Sequence, residues 1–155
     1  MKAIERHVLY VKAQPWGEEM LLVTGPTYTM KRLHYLAGKA GGLQYHINRT
    51  ESFFVESGEA IVRYDRGDGT LVEVRVVGGG EACHIPAGAP HQFEAVTDCI
   101  VFEASTLGLA DRVNVAAYYG RTMPEGTLPT TWTEEEIAAF ERTAAAHQEG
   151  LVVSP

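Results

Sequence analysis

Only two of the 155 residues are cysteine, Cys83 and Cys99. Their separation excludes C-x-x-C motifs; two buried free thiols acting as small apolar residues are expected, with a disulfide between neighbouring strands as the alternative. Positive charge is also scarce, since 13 Lys and Arg against 20 Asp and Glu leave a formal net charge of −7. Binding to a phosphate backbone or an anionic lipid surface needs clustered cations, so neither a nucleic acid nor a membrane is expected as a partner. No apolar run approaches the ~20 residues of a membrane span, and the short one in MKAIERHVLYVKAQPW is flanked by charge on both sides. A cytoplasmic location is the resulting expectation. No internal repeat or low-complexity tract occurs, and no helical period appears before Thr133.

What is present is an ordinary globular composition, 45% hydrophobic and 21% charged, in a chain long enough to bury a core. Short β-branched and aromatic runs alternate with Gly, Pro and Asp turns. Strands are expected at Ile4–Val11, Met20–Thr24, Tyr28–Leu36, Leu43–Asn48, Glu51–Glu56, Glu59–Tyr64, Thr70–Val77, Ala82–Ile85, His91–Val96 and Cys99–Ser105. About ten short strands at turn intervals predict an all-β jelly roll or small barrel. In Tyr28–Leu36 either Lys31, Leu33 and Tyr35 or Met30, Arg32 and His34 face inward, and the sequence allows both parities. The stretch AGKAGG, residues 37–42, reads as a hairpin turn, since it lacks phosphate-loop spacing and precedes a strand. Residues 107–129 are punctuated by Gly and Pro and are expected to wrap the barrel's outside. One helix is expected over Thr133–Gln148, with a Thr133/Glu136 capping box, a Trp132/Ile137 staple and an apolar stripe of Ile137, Phe140 and Ala144.

The chemistry concentrates in GGLQYHINRTESFFVESG, residues 41–58. On a strand, a period of two sends Gln44, His46 and Asn48 to one face, and Glu51 follows closely. An imidazole, a carboxylate and amide oxygens make a mixed N/O set of metal ligands. In GEACHIPAGAPHQFEA, Pro86 and Gly88 mark a turn and His91 opens the next strand, so adjacent strands would bring His46, Glu51 and His91 together. Singly, each of these is more often a hydrogen-bonded or solvated residue than a ligand; the joint spacing carries the signal.

That spacing resembles the cupin family over roughly residues 28–106. The first cupin motif is met by Ala40 at its opening glycine, His46-x-Asn48 in place of His-x-His, Glu51 and Gly58. The second is met by Gly80, Pro86, Gly88 and His91, with Ala95 where an asparagine would stand. The resemblance implies a cupin double-stranded β-helix, a jelly-roll barrel with one C-terminal α-helix, in a single domain over 1–155: barrel core 28–106, extension and helix 107–155. Within the cupins the chain is similar to mannose-6-phosphate isomerase-like proteins, through Pro15-Trp16-Gly17, through Leu43-Gln44-x-His46-x-Asn48-Arg49-x-Glu51, and through Glu103 to Thr106 with Tyr119-Gly120-Arg121.

By that resemblance a divalent ion, Zn, Mn, Fe or Ni, is expected on His46, Glu51, His91 and Gln44, with Arg49 on the substrate and Asn48 either facing the substrate or behind the ligands; Lys31 and Arg63 are further phosphate candidates by residue type. An aldose–ketose isomerase acting on a sugar or sugar phosphate is the leading expectation, and one or two cations suffice for such a ligand. The ion would polarise a carbonyl and a neighbouring hydroxyl, and a general base must move a proton between adjacent carbons. His34, His84 and Glu94 are candidates for that base by residue type. An Fe(II) dioxygenase built on two histidines and a carboxylate, and a non-catalytic metal- or sugar-binding module, are the alternatives. A homodimer is expected from the cupin relatives.

Overall fold

The computed structural model describes residues 3–150. In chain order the strands are β1 (Tyr10–Gln14), β2 (Gly17–Thr24), β3 (Tyr28–Tyr35), β4 (Gln44–Tyr45), β5 (Glu51–Ser57), β6 (Glu59–Asp65), β7 (Leu71–Val77), β8 (Ala82–Ile85), β9 (His91–Ala95), β10 (Cys99–Thr106) and β11 (Val113–Asn114). A 3₁₀ turn at Ala116–Tyr119 and one helix, α1 (Glu134–Gly150), follow. All pairings are antiparallel, in a six-stranded sheet ordered β1-β2-β3-β10-β5-β8 and a five-stranded sheet ordered β11-β4-β9-β6-β7. The two face each other as a jelly-roll barrel, the expected fold class.

The inner faces carry the core. Alternation along the strands turns Leu33, Tyr35, Phe53, Val55, Ala60, Val62, Phe93 and Val101 toward one another in a single buried cluster. Val55 and Val101 are essentially fully buried, each such side chain contributing about 1.5–3 kcal/mol relative to exposure. Both cysteines are free, with Cys99 buried and Cys83 half-buried against this core. Gly58 closes the β5–β6 hairpin at φ 92°, where a Cβ would lie 2.2 Å from the Asp98 carbonyl oxygen. Only glycine fits there.

The β3 parity is resolved by burial. Lys31, Leu33 and Tyr35 face inward, whereas Met30 is exposed and Arg32 and His34 are half-exposed on the outer face. Three expectations are corrected. Residues 3–9 form no strand; Ile4 and Val8 are almost fully exposed, so the apolar run there has no neighbouring strand to pair with. Residues 37–42 are not a hairpin turn, because β3 and β4 belong to different sheets; this segment runs beside β9, Gly38 N–H donating to Ala95 O and Gly41 N–H to Phe93 O. The strand expected at Leu43–Asn48 shortens to Gln44–Tyr45, and the chain bends at Ile47 and Asn48.

The helix caps as expected: Thr133 Oγ1 accepts from Glu136 N–H at 3.3 Å, and Glu136 Oε2 accepts from Thr133 N–H at 2.7 Å. Its Ile137 and Phe140 pack with Trp132 on a second cluster of Tyr45, Ile47 and Val113. β4 therefore has two jobs on its two faces: Tyr45 stacks on Phe140 at 5.9 Å, while Gln44 lines the cavity inside.

Candidate metal centre

Three elements bring the ionisable groups together. His46 sits in the bend after β4, Glu51 opens β5, and His91 opens β9 opposite Gln44. His91 Nε2 lies 2.8 Å from Glu51 Oε1, and His46 Nε2 lies 3.7 Å from Glu51 Oε2. One ligand atom from each residue falls within 4.8 Å of the others, the one such group among the described residues. All three side chains are buried.

The rings are oriented from behind. His46 Nδ1 donates to the Asp111 carbonyl, and His91 Nδ1 donates to the Ala89 carbonyl at 2.9 Å. With both Nδ1 positions donating, each ring once neutral has its Nε2 lone pair on the shared space, the tautomer a metal ligand needs, whereas a protonated His91 donates from Nε2 to Glu51 Oε1. Gly88, at φ 81°, donates its N–H to the His46 carbonyl at 2.7 Å and holds the second motif's turn against the first. Gln44 Nε2 stands 3.4 Å from His46 Nε2.

Burial, reinforced by the Arg49 charge and opposed by Glu51, pushes His46 down to about 4. Glu51 is also penalised by burial, but the hydrogen bond from His91 and the charges of His91 and Arg49 outweigh it and hold the carboxyl well below its usual range. In His91 burial is likewise outweighed by Glu51, so its pKa rises. A neutral imidazole and an ionised carboxylate are the forms that bind cations.

Glu51 and His91 line a cavity of about 330 Å³ together with Gln44, and His46 stands beside Glu51. One wall is aromatic, with Trp16 stacked on Tyr35 at 4.0 Å and 14° and Phe93 beyond. Arg49 is buried, its Nη2 donating to Glu51 Oε2 and to Glu103 Oε1. Lys31 lies 3.4 Å from Glu103 and 3.5 Å from Glu19. Asn48, by contrast, is exposed and does not line the cavity. The three residues considered as a base also lie elsewhere: His34 reaches Asp98 on the outer face, His84 bonds Ser52 among exposed groups, and Glu94 pairs with Arg63 on the outer face of the five-stranded sheet. Arg63 is thereby remote from the cavity. The titratable carboxyls lining the cavity besides Glu51 are Glu19, Glu103 and Glu125.

Asp111 escapes any motif. Its buried carboxylate accepts from the N–H groups of Ile47 at 2.7 Å, Asn48 and Arg49 at 3.0 Å. That capture bends the chain after His46 and takes Asn48 off the face it would share with Gln44 and His46 on a continuous strand. The segment expected to wrap the outside thus also builds the site, because Leu109, Ala110, Arg112 and Thr127 line the cavity. Its far part does lie outside: Tyr119 donates to Asp65 and Arg121 lies 3.7 Å from Glu73.

A family model described as "Cupin domain" matches residues 31–104, the span that holds all three site residues. The chain belongs to the cupin superfamily. The cupin is 33% identical over 129 residues, 78% of its length, to the mannose-1-phosphate guanylyltransferase of Escherichia coli (strain K12). It spans about a quarter, 26%, of that relative's length. Among solved structures it is similar to the capsular polysaccharide assembling protein CapF from Staphylococcus aureus, with TM-score 0.62 and 21% identity over 70% of this chain and 34% of the other. A single-substitution variant of the oxalate decarboxylase of B. subtilis superposes with TM-score 0.61 and 14% identity over 78% and 39%. At those identities the likeness is one of fold.

Proposed function

We propose that this cupin is a metal-dependent isomerase interconverting an aldose and a ketose, with a sugar or sugar phosphate as substrate. The observation that carries the reading is the His46–Glu51–His91 cluster, two of whose members, Glu51 and His91, line a cavity walled by Trp16 and Tyr35. Aromatic faces suit the C–H faces of a sugar ring, and the volume is that of a small-molecule site. The likeness to a protein named for mannose 1-phosphate supports the substrate class.

The donor set fits a divalent ion. Two Nε2 atoms backed by carbonyls and one ionised carboxylate suit zinc, manganese, iron or nickel, and Gln44 would join them with its amide turned so that oxygen faces His46. A bound ion would supply Lewis acidity to a carbonyl and its neighbouring hydroxyl. The chain's own residues do the rest. Trp16 and Tyr35 orient the ring, and Glu103, held by Arg49 and Lys31, is the carboxylate we assign to carry the proton between adjacent carbons. Burial first, then the charge of Glu51, raises the Glu103 pKa, which suits a group that must both take and return a proton. The protein is proposed to act in the cytoplasm as a homodimer, with the apolar, exposed Ile4, Val8, Leu9 and β1 edge as the contact.

Elemental mass spectrometry of wild type beside His91→Ala, followed by assays of metal-loaded protein on aldose and ketose 6-phosphates, tests the reading. Near-stoichiometric metal lost in the variant, with oxygen-independent interconversion, is expected. Turnover that needs Fe(II) and consumes oxygen would replace the isomerase with a dioxygenase. Absence of metal after reconstitution would defeat both and leave a binding module.

A further inference from the structure

We propose that Arg112, assisted by Lys12, forms an oxyanion subsite in the wall of the cavity, holding the phosphate or carboxylate end of a sugar whose other end faces the His46–Glu51–His91 cluster. The proposal rests on the reading of this cavity as a sugar site.

The two cations beside the cluster are already paired. Arg49 bonds Glu51 and Glu103, and Lys31 lies between Glu19 and Glu103. These two cations face three carboxylates, leaving no positive excess for an incoming anion. Arg112 and Lys12 differ: among the described residues neither makes an ion pair, and both line the cavity.

Arg112 is also held in place. Its backbone N–H donates to Thr131 Oγ1 at 2.8 Å, its carbonyl accepts from Thr131 N–H at 2.9 Å, and its Nε donates to the Pro129 carbonyl at 3.1 Å. The preceding residue, Asp111, grips the loop after His46 with its carboxylate and the His46 ring with its carbonyl. Arg112 is thus fixed one residue from the cluster's own support. With Nε engaged, the four N–H donors on its two terminal nitrogens have no protein partner among the described residues. A half-buried fork with free paired donors is the geometry that takes an oxyanion bidentately. Burial, then the charge of Arg49, lowers its pKa against the opposing charge of Glu19.

Lys12 reaches the same cavity from the opposite wall. It pairs in register with Glu19, which pairs with Leu33, so all three side chains share the concave face of the six-stranded sheet. Gln14 lines the cavity too, and its Oε1, buried without a partner among the described residues, is free to accept from a sugar hydroxyl. Glu125 also stands at the rim, but it is exposed and its repulsion is screened by solvent and salt. Burial falls from the cluster, through half-buried Gln14 and Arg112, to exposed Lys12, as suits a ligand with one reacting end and one anionic end.

Isothermal titration of the purified protein with glucose 6-phosphate, glucuronate and glucose tests this, for wild type, Arg112→Gln and Arg112→Lys, with bound metal measured in each. Wild type is expected to bind one of the two anions at least about tenfold more tightly than glucose, and which one it prefers identifies the oxyanion as phosphate or carboxylate. Arg112→Gln should bring that anion to within about twofold of glucose, with glucose affinity and metal content unchanged, and Arg112→Lys should keep part of the preference. Retention of the full preference in Arg112→Gln, or none in wild type, overturns the proposal. The anion preference with no isomerase turnover in the same preparation upholds the subsite and removes the isomerase reading.

Discussion

At the scale of single residues, the site depends on a few buried groups whose charge states are set by one another. Burial with Arg49 nearby holds His46 at about 4, below its ordinary 6.5, so in metal-free protein the unfolded chain takes up this proton first as the pH falls. The stability His46 contributes is therefore complete above 6.5 and drains between 6.5 and about 4. Urea unfolding in EDTA at about pH 7.5 and about pH 4.5 should show wild type losing about 2–3 kcal/mol more than His46→Gln between the two. The opposite contribution of His91, whose pKa is raised, is common to both proteins and cancels. Equal losses would mean that His46 charges as readily in the fold as outside it. For Glu103, the exchange to Gln keeps the shape of the Arg49 contact but removes the proton carrier. Turnover is expected to fall at least about 100-fold with metal content unchanged, and a variant with near-wild-type kcat would take the proton transfer away from Glu103. Of these residues, His46, Glu51 and His91 could be read from motif spacing, because the spacing is itself the signal. Glu103 appeared in the sequence only as the start of a Glu-x-Ser-Thr match.

At the scale of elements, the deciding contact is between the bend after β4 and the segment before β11. Asp111 satisfies three backbone donors of that bend and orients the His46 ring. Asp111→Ala leaves three N–H groups without their acceptor and is expected to cost about 3 kcal/mol of stability and 10- to 100-fold in metal affinity. Chemical denaturation and competition with a metal-chelating dye measure the two effects; unchanged affinity would show that Gly88 and β9 hold the cluster unaided. The same contact explains why the sequence pattern misplaces Asn48. Alternation of side chains holds only while the chain stays extended, and the bend ends it at Ile47. The Glu-x-Ser-Thr segment shows the other case: in β10 Glu103 faces the cavity, Ser105 bonds Thr29 at 2.8 Å, and Thr106 Oγ1 accepts from Thr50 N–H at 3.0 Å. There one run of strand both presents a cavity residue and ties β3 to the loop before β5.

At the scale of the whole molecule, two sheets enclose a cavity that is aromatic on one wall and charged at Glu51 and His91. Among the described residues no helix is long and apolar enough to cross a membrane. The edge strand β1 and the residues before it leave Ile4, Val8, Leu9, Tyr10 and Val11 exposed, the kind of unpaired apolar edge that a second chain covers. Sedimentation velocity should give a species of twice the 17.0 kDa chain mass, converted to monomer by the pair Val8→Lys and Val11→Lys. A monomeric wild type would leave that edge without a partner copy.

The sequence by itself determined the fold class, most of the strand succession, the C-terminal capping box and the three residues that meet in one cluster. Each follows from local information: alternation, turn chemistry and the spacing within each of two motifs. Only the tertiary structure decided the inward parity of β3, the exclusion of His34, His84 and Glu94 from the cavity, the pairing of Arg49 with carboxylates, and the placing of Asp111 and Arg112 at the site. These depend on which segments distant in sequence pack together, and on which face of a strand that packing buries. Local pattern carries no record of either.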